Sequence, residues 1–470
     1  MWWSKNKYNS LNKNKLKEYN NIRSKNKRSH LCLAPFSTLF FTEFGEILPC
    51  YYNKSIVFGN YSDTTFEEAW FGPQMEKLRD HIKHNDLSFG CQDCKLYFDQ
   101  GNYYSMGSWK YDYLPINKTK YPISIDFQIS NICNLSCIMC NGEYSQTVRK
   151  SREQKDVFKN PYDSSIIEKL TPFLPHLKEA AFTGGEVFLI KLYYDIWDKI
   201  FEVNPNIRIS ITTNGTILNS RVKSYLEKLD FNITISLDSV HKDNFEKIRI
   251  FSNFETVIKN LEYYHEYTLR KGTIFTVKIC PMRQNWNEIP DIINYLNNKN
   301  IPFLFNNVII PAYTSLWNLS SEELKIIADH IEKPIYKGDS VICKTNNDRV
   351  KNLISQIRNW QKASAERENK YPDLKFKTPK ELLQLIITSI LDFLSSNPDM
   401  YDKTEYGNKM KNIFNEISEK ISDEEILKNA LVFYFEMPVH RLINEFNIRN
   451  IEKIINLTKQ IGLTEPAPIK

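Results

Sequence analysis

The chain has 470 residues, 41% of them hydrophobic and 25% charged, with a formal net charge of +6. That length allows two or three domains, and the composition excludes global disorder. No apolar run is long enough to span a bilayer, the densest stretch, Leu382 to Leu394, being broken by Gln384, Thr388, Ser389 and Asp392. With no secretory signal at the start, a cytoplasmic location with no membrane partner is expected.

Residues 1–28 carry nine Lys or Arg against a single acid, Glu18, so the rest of the chain is close to neutral. This Asn- and Lys-rich stretch lacks apolar periodicity and is expected to be a basic, poorly ordered arm over 1–29. A nucleic-acid partner has little support, because the body has no basic excess. Residues 30–110 carry Cys32, Gly45-x4-Cys50, Gly59-Asn60, Trp70, Arg79 and Cys91-x2-Cys94. Residues 39–44 and 46–51 read as a hairpin turning at Glu43–Gly45, and 65–83 as a helix capped by Thr64 or Thr65. Four cysteines in this arrangement can close a coordinatively saturated set, suited to structure or electron transfer. Spacing alone leaves zinc and an iron–sulfur cluster both open. Cys280 and Cys343 have no cysteine neighbour and read as ordinary core or surface residues.

From Tyr121 the pattern alternates. Strands are expected at 122–130, 179–183, 207–213, 231–237, 272–280 and 302–310. Helices are expected at 144–157 with 163–174, then 188–202, 218–229, 241–266 and 287–298. Six strand–helix steps rich in Ile, Thr and Phe predict a parallel α/β sheet. Directly after the first strand come Cys133, Cys137 and Cys140 as C-x3-C-x2-C. Three thiolates on one loop can turn to one centre, which is the ligand chemistry of an iron–sulfur cluster. With no fourth ligand nearby, one metal position stays open for chemistry. Gly184-Gly185-Glu186 follows the second strand, Thr213-Asn214-Gly215 the third, and Ser236-Leu237-Asp238 the fourth, with Arg249 beyond it. Strand ends are where sites are built in such sheets.

A strand followed by C-x3-C-x2-C, with these motifs at successive strand ends, resembles the radical S-adenosylmethionine (radical SAM) family. The resemblance implies a partial (β/α)6 barrel over 121–315, with Cys133, Cys137 and Cys140 holding a 4Fe–4S cluster whose open iron binds SAM. It also implies SAM contacts from Met139, Gly184, Gly185, Glu186, Thr213, Asn214, Ser236, Asp238 and Arg249, with adenine lying near Val308 to Pro311. Glu186 would meet the SAM ammonium, and Arg249 its carboxylate. Met139 stands where the family often has an aromatic residue, and Val187 where it has Pro. The arrangement of Cys32, Cys50, Cys91 and Cys94 resembles the twitch domain, a shortened SPASM domain, here ahead of the core rather than after it. It implies one auxiliary 4Fe–4S cluster in a small α+β domain. A reductant such as flavodoxin or ferredoxin is implied as partner.

Beyond Ala312 the chain reads as a mainly helical region, 316–470, with helix starts at Ser320/Glu323, Thr378/Glu381 and Ser422/Glu425. From position alone it is expected to cover the open side of the barrel. The expected activity is reductive SAM cleavage to a 5′-deoxyadenosyl radical and hydrogen abstraction, leading to oxidation, crosslinking or epimerisation. Residues 1–29 are too short and polar for a leader-binding domain, which favours a small molecule or sugar derivative over a peptide substrate. The rivals are a peptide-modifying radical SAM enzyme, an electron-transfer iron–sulfur protein without SAM, and a zinc-stapled binding protein.

Overall fold

The computed structural model describes residues 8–398, 401–447 and 449–466. One nine-stranded sheet organises it. In chain order its strands are β1 Thr38–Phe41, β2 Glu46–Leu48, β3 Gly59–Asn60, β4 Ser124–Phe127, β5 Glu179–Phe182, β6 Arg208–Thr213, β7 Phe231–Ser236, β8 Phe275–Ile279 and β9 Phe303–Phe305. Their spatial order is β3-β2-β1-β4-β5-β6-β7-β8-β9. β4 to β9 run parallel in sequence order, with helices returning the chain between them, as the alternating pattern requires. The hairpin forms as expected, with β1 antiparallel to β2 and Gly45 at a φ of 86° in the turn.

β1 also pairs in parallel with β4, placing Phe40 opposite Asp126. The N-terminal cysteine domain is therefore welded to the core sheet through backbone hydrogen bonds. Every residue of β1 is buried, so this strand is covered on both faces.

Side chains alternate across the sheet. Ile125, Ile209, Ile211, Ile233, Ile235, Val277 and Ile279 point to the buried face, where each apolar side chain stabilises the fold by roughly 1.5–3 kcal/mol. The other face is polar. Asp126, Ala181, Ser210 and Asn232 form one cross-strand row, Thr212, Thr234 and Thr276 the next, and Ser236 pairs with Lys278 above them. So much polar surface lining a barrel lumen is costly unless water or a ligand satisfies it.

Several expected elements differ in detail. The helix read over 65–83 is two, Phe66–Phe71 and Pro73–Lys83. Gly72 between them is extended, because Pro73 lacks an N–H and disfavours helical geometry in the residue before it. The stretch 241–266 likewise splits into Lys242–Ile248 and Phe254–Lys271, with Phe251 at a φ of 73° in the corner. The last strand stops at Phe305, so Val308 to Pro311 lie in a loop. The expected arm is ordered where it is described. Helix Lys13–Asn21 is capped by Asn12, and Tyr19 is fully buried. Arg23 makes a two-armed pair with Asp112 at 2.5 and 2.7 Å. A few anchors suffice here, too sparse for a periodicity to register. Residues 1–7 lie outside the described residues.

Beyond the barrel, Leu324, Ile327, Leu353 and Ile357 join the main core. A second core forms from Leu382, Ile386, Ile390, Phe414, Leu431 and Phe446. The capping boxes at Ser320 and Thr378 are present, whereas Asp423 rather than Ser422 caps Glu424–Glu436. This bundle reaches the mouth of the barrel. Gln460 donates to Glu153 at 2.6 Å beside the cysteine loop, Leu463 packs against the cluster of Ile138, Ile248, Met282, Val308 and Tyr313, and Asn444 donates to Asp93 at 3.1 Å. No helix among the described residues is long and apolar enough to cross a membrane.

Replacing Tyr19 by Ala is expected to cost about 3–5 kcal/mol of stability, measured by denaturant unfolding. No change in the midpoint would return residues 8–29 to the status of a solvated tail.

Candidate active site

Cys133, Cys137 and Cys140 sit on the loop that leaves the C-terminal end of β4. Backbone bonds from Ser136 to Ile250 at 3.0 Å and from Ile138 to Ile248 at 2.9 Å tie that loop to the segment carrying Arg249. Side chains hold its carbonyls from outside. Arg152 donates to Cys137 O at 2.6 Å and Cys140 O at 2.9 Å, Tyr313 to Ile138 O at 2.9 Å, and Ser145 to Leu135 O at 2.8 Å. Burial and then the Cys137 sulfur push the Cys133 thiol up to about 12. Burial raises Cys140 too, followed by the charges of Cys137 and Cys133. Burial raises Cys137, with Arg249 and Arg152 pulling back. The sulfurs thus sense one another, and only a bound cation would make their thiolates affordable there. No three His, Cys, Asp or Glu side chains among the described residues close on a single ion. Three thiols on one loop that act on one another's charge are the donor set an iron–sulfur cluster takes.

The loop after β5 lies directly against the cysteine loop. Gly185 N donates to Ser130 O at 3.0 Å and Glu186 N to Ile132 O at 2.7 Å. A Cβ on Gly185 would stand 2.0 Å from Ile132 O, and one on Gly184, at a φ of 124°, 2.5 Å from Ser130 O. The paired glycines are expected to admit a ligand; in the structure the backbone they admit is that of the cysteine loop. Glu186 is fully buried. It accepts from Thr213 Oγ1 and Asn214 N, both at 2.7 Å, and from Phe188 N at 3.3 Å. Burial raises its pKa, and those donors offset the rise. About one acceptor position remains free on the carboxylate.

Thr213 therefore spends its hydroxyl on Glu186. Asn214 reaches the other way, donating to Asn134 at 2.9 Å, with Cys133 Sγ at 3.9 Å. Asp238 accepts from Cys280 N at 2.7 Å and pairs with Arg249 at 2.6 Å, both side chains buried. The two residues expected at SAM are paired with each other in the structure. Arg249 Nε is buried with no hydrogen-bond partner among the described residues, and its charge acts on Cys137. Ser236 faces the polar lumen beside Lys278. Met139 packs against Ile138, Met282 and Tyr313.

Asn134, Arg152, Tyr313 and Cys280 are site residues that sequence reasoning missed. Cys280 follows β8 and neighbours Asp238 and Arg249, with burial pushing its thiol up to about 12. Its place at a strand end was a usable signal; Arg152 and Tyr313 gave none, since their contacts are to backbone carbonyls far along the chain.

The second set converges likewise. Cys32, Cys50, Cys91 and Cys94 line a cavity walled by Leu78, Ile82, Leu87 and Tyr111. Ala34 N lies 3.4 Å from Cys32 Sγ, Asn53 N 3.3 Å from Cys50 Sγ, and Asn53 Nδ2 3.6 Å from Cys91 Sγ. Burial and Cys94 push Cys50 up to about 12, and burial takes Cys94 to about 11. All four thiols are free. The cavity adjoins the barrel lumen, since the Asp126 carboxylate acts on Cys50, Tyr52 and Tyr111.

The radical SAM superfamily model matches residues 127–296, and the iron–sulfur cluster-binding SPASM model matches residues 32–95. The chain carries a radical SAM domain preceded by an SPASM-type iron–sulfur domain. The matched domains imply SAM, its 4Fe–4S cluster and an auxiliary iron–sulfur cluster. Among relatives, a probable GTP 3′,8-cyclase of Methanocaldococcus jannaschii is 27% identical over 172 residues, 37% of this chain and 54% of that protein. The GTP 3′,8-cyclase of Listeria monocytogenes is 27% identical over 181 residues, covering 38% and 52%. The chain thus spans about half the length of these curated relatives. Among solved structures, native anSMEcpe with bound AdoMet aligns at 19% identity and a TM-score of 0.35, covering 44% of this chain and 58% of that one. Streptococcus suis SuiB bound to its precursor peptide SuiA aligns at 15% identity and a TM-score of 0.32, covering 52% and 50%.

If Arg152 shapes the radical SAM loop, Arg152→Ala should cut the iron retained after reconstitution several-fold, with Arg152→Lys recovering part of it. Each charged hydrogen bond lost costs about 1.5–3 kcal/mol. Iron content equal to wild type would show that the loop keeps its shape without the clamp.

Proposed function

We propose that this chain is an enzyme that reductively cleaves S-adenosylmethionine and abstracts hydrogen from a small-molecule substrate. The observation that carries the reading is the convergence of Cys133, Cys137 and Cys140 on one loop at the end of β4, against Gly184–Glu186. When bound there, a 4Fe–4S cluster with SAM supplies a 5′-deoxyadenosyl radical. The protein's own task is to hold and orient. Glu186 keeps one acceptor position for the SAM ammonium, and Asn214 and Ser236 offer polar contacts from the ends of β6 and β7. Thr213 orients Glu186, while Asp238 and Arg249 act as a pair on the Cys137 side. Met139 and the paired glycines contribute backbone.

In the same reading Cys32, Cys50, Cys91 and Cys94 hold one auxiliary 4Fe–4S cluster that takes up or relays an electron, with flavodoxin or ferredoxin as the outside reductant. The lumen lies between the two cysteine sets. A small molecule suits a chamber closed by the sheet, the cysteine domain and the C-terminal bundle. The relatives named GTP 3′,8-cyclase act in that class, but no nucleotide specificity is carried over from half-length matches.

Anaerobically reconstituted protein should hold about eight irons and release 5′-deoxyadenosine from SAM when reduced with dithionite. A Cys133/Cys137/Cys140→Ala variant should keep about four irons and release none. Equal release from both would remove the assignment of the triplet.

A further inference from the structure

The wall of the lumen changes character with depth. At the floor the polar groups satisfy one another. Ser210 Oγ donates to Glu179 at 3.1 Å, and Asn232 Nδ2 to Ser210 Oγ at 3.3 Å. Asn232 Oδ1 accepts from Ile274 N at 2.9 Å. One pleat higher no such closure exists. Thr212 of β6, Thr234 of β7 and Thr276 of β8 stand directly opposite one another in the parallel register. Each is half-buried, while the residues before and after it on its strand are buried. All three side chains therefore point into the lumen, away from the packed face of the sheet. None of the three hydroxyls forms a hydrogen bond among the described residues. On β4, level with the floor, Asp126 likewise makes no hydrogen bond or ion pair among the described residues. Only Ala181 stands between it and Ser210 in that row.

Neighbouring strands lie about 4.8 Å apart, so the threonine row presents three hydroxyls across about 10 Å. Thr234 is two residues below Ser236 on β7, which is roughly 6–7 Å down the strand. The row thus borders the space beneath the SAM contact assigned to Ser236. A hydroxyl both donates and accepts. Water serves these groups in the empty lumen, and a ligand that displaces it has to return the same bonds or lose affinity. An apolar substrate returns none of them. A compound with hydroxyls on successive carbons returns donors and acceptors to the threonines in either direction, and donors to the Asp126 side.

We propose, building on the radical SAM reading, that Thr212, Thr234 and Thr276 form a binding row for a polyhydroxylated substrate, a sugar or cyclitol. The row holds the substrate between the self-bonded floor and the SAM site. Its width suits one ring lying across the three strands. Because the hydroxyls carry no charge, the row orients the ring by hydrogen bonds alone.

The test uses full-length protein reconstituted with both clusters and saturated with SAM, titrated calorimetrically with glucose, with myo-inositol and with the tripeptide Gly-Ala-Gly. Glucose or myo-inositol should bind saturably. Thr234→Val, which keeps the side-chain shape and removes the central hydroxyl, should weaken that binding by about fivefold or more. Thr212→Val and Thr276→Val should each weaken it by about threefold or more, while Thr234→Ser stays within about twofold of wild type. SAM affinity and iron content should remain within about twofold of wild type in every variant. Absence of saturable binding by both polyols, or binding unmoved by the valine substitutions, overturns the row while leaving the radical SAM reading intact. Saturable binding of the tripeptide that Thr234→Val weakens, without binding of either polyol, would give the row to a peptide substrate and refute the proposal. A large loss of SAM affinity in Thr234→Val would assign the row to SAM and refute it too. Protein that takes up neither iron nor SAM would remove the radical SAM reading and the row together.

Discussion

The contact on which the site depends is the pair of backbone hydrogen bonds joining the loop after β5 to the cysteine loop after β4. It forms only because positions 184 and 185 lack a Cβ. Through it Glu186 is driven into the interior, where burial would cost it dearly without the donors of Thr213, Asn214 and Phe188. Those donors in turn fix the end of β6, and Asn214 reaches back to Cys133. Three successive strand ends are thereby locked into one frame around the thiols. On the far side, Asp238 and Arg249 do the same for Cys137 and the end of β8. A buried ion pair is weak evidence for stability in itself; here its use is to place a guanidinium beside a sulfur ligand.

A second constraint is the parallel pairing of β1 with β4. It fixes the N-terminal cysteine cavity relative to the barrel without relying on loop packing. The two sets of thiols then flank a lumen whose polar rows run from Asp126 to Lys278. The C-terminal bundle touches both sides of this arrangement, at Asp93 and at Glu153. Cofactor sites, lumen and cover are consequently parts of one framework, and a shift in any of them is felt by the others.

Much of this was legible because it is local or periodic. The alternating Ile, Thr and Phe of Ile123–Ile129, Ile207–Thr213 and Phe231–Ser236 announced strands, and the cysteines and glycines marked their ends. The capping boxes at Ser320 and Thr378 were visible three residues apart. What was not legible depends on partners distant in the chain. Nothing around Thr38–Phe41 says that this strand will extend the core sheet. Tyr19 and Arg23 become ordered through Ser108 and Asp112, some ninety residues on in the sequence. Arg152 matters through the carbonyls of Cys137 and Cys140, and nothing in the sequence pairs Asp238 with Arg249. Cys280 looked solitary in sequence, yet the sheet brings it beside that pair.

The central claim is that the Cys133/Cys137/Cys140 loop presents an open metal position to SAM. The most direct measurement is the electron paramagnetic resonance spectrum of the reduced cluster, with and without SAM, in a Cys32/Cys50/Cys91/Cys94→Ala variant that leaves only this loop loaded. The account predicts one reduced cluster whose g-values shift when SAM is added. A loaded, reduced cluster with a spectrum indifferent to saturating SAM would contradict it.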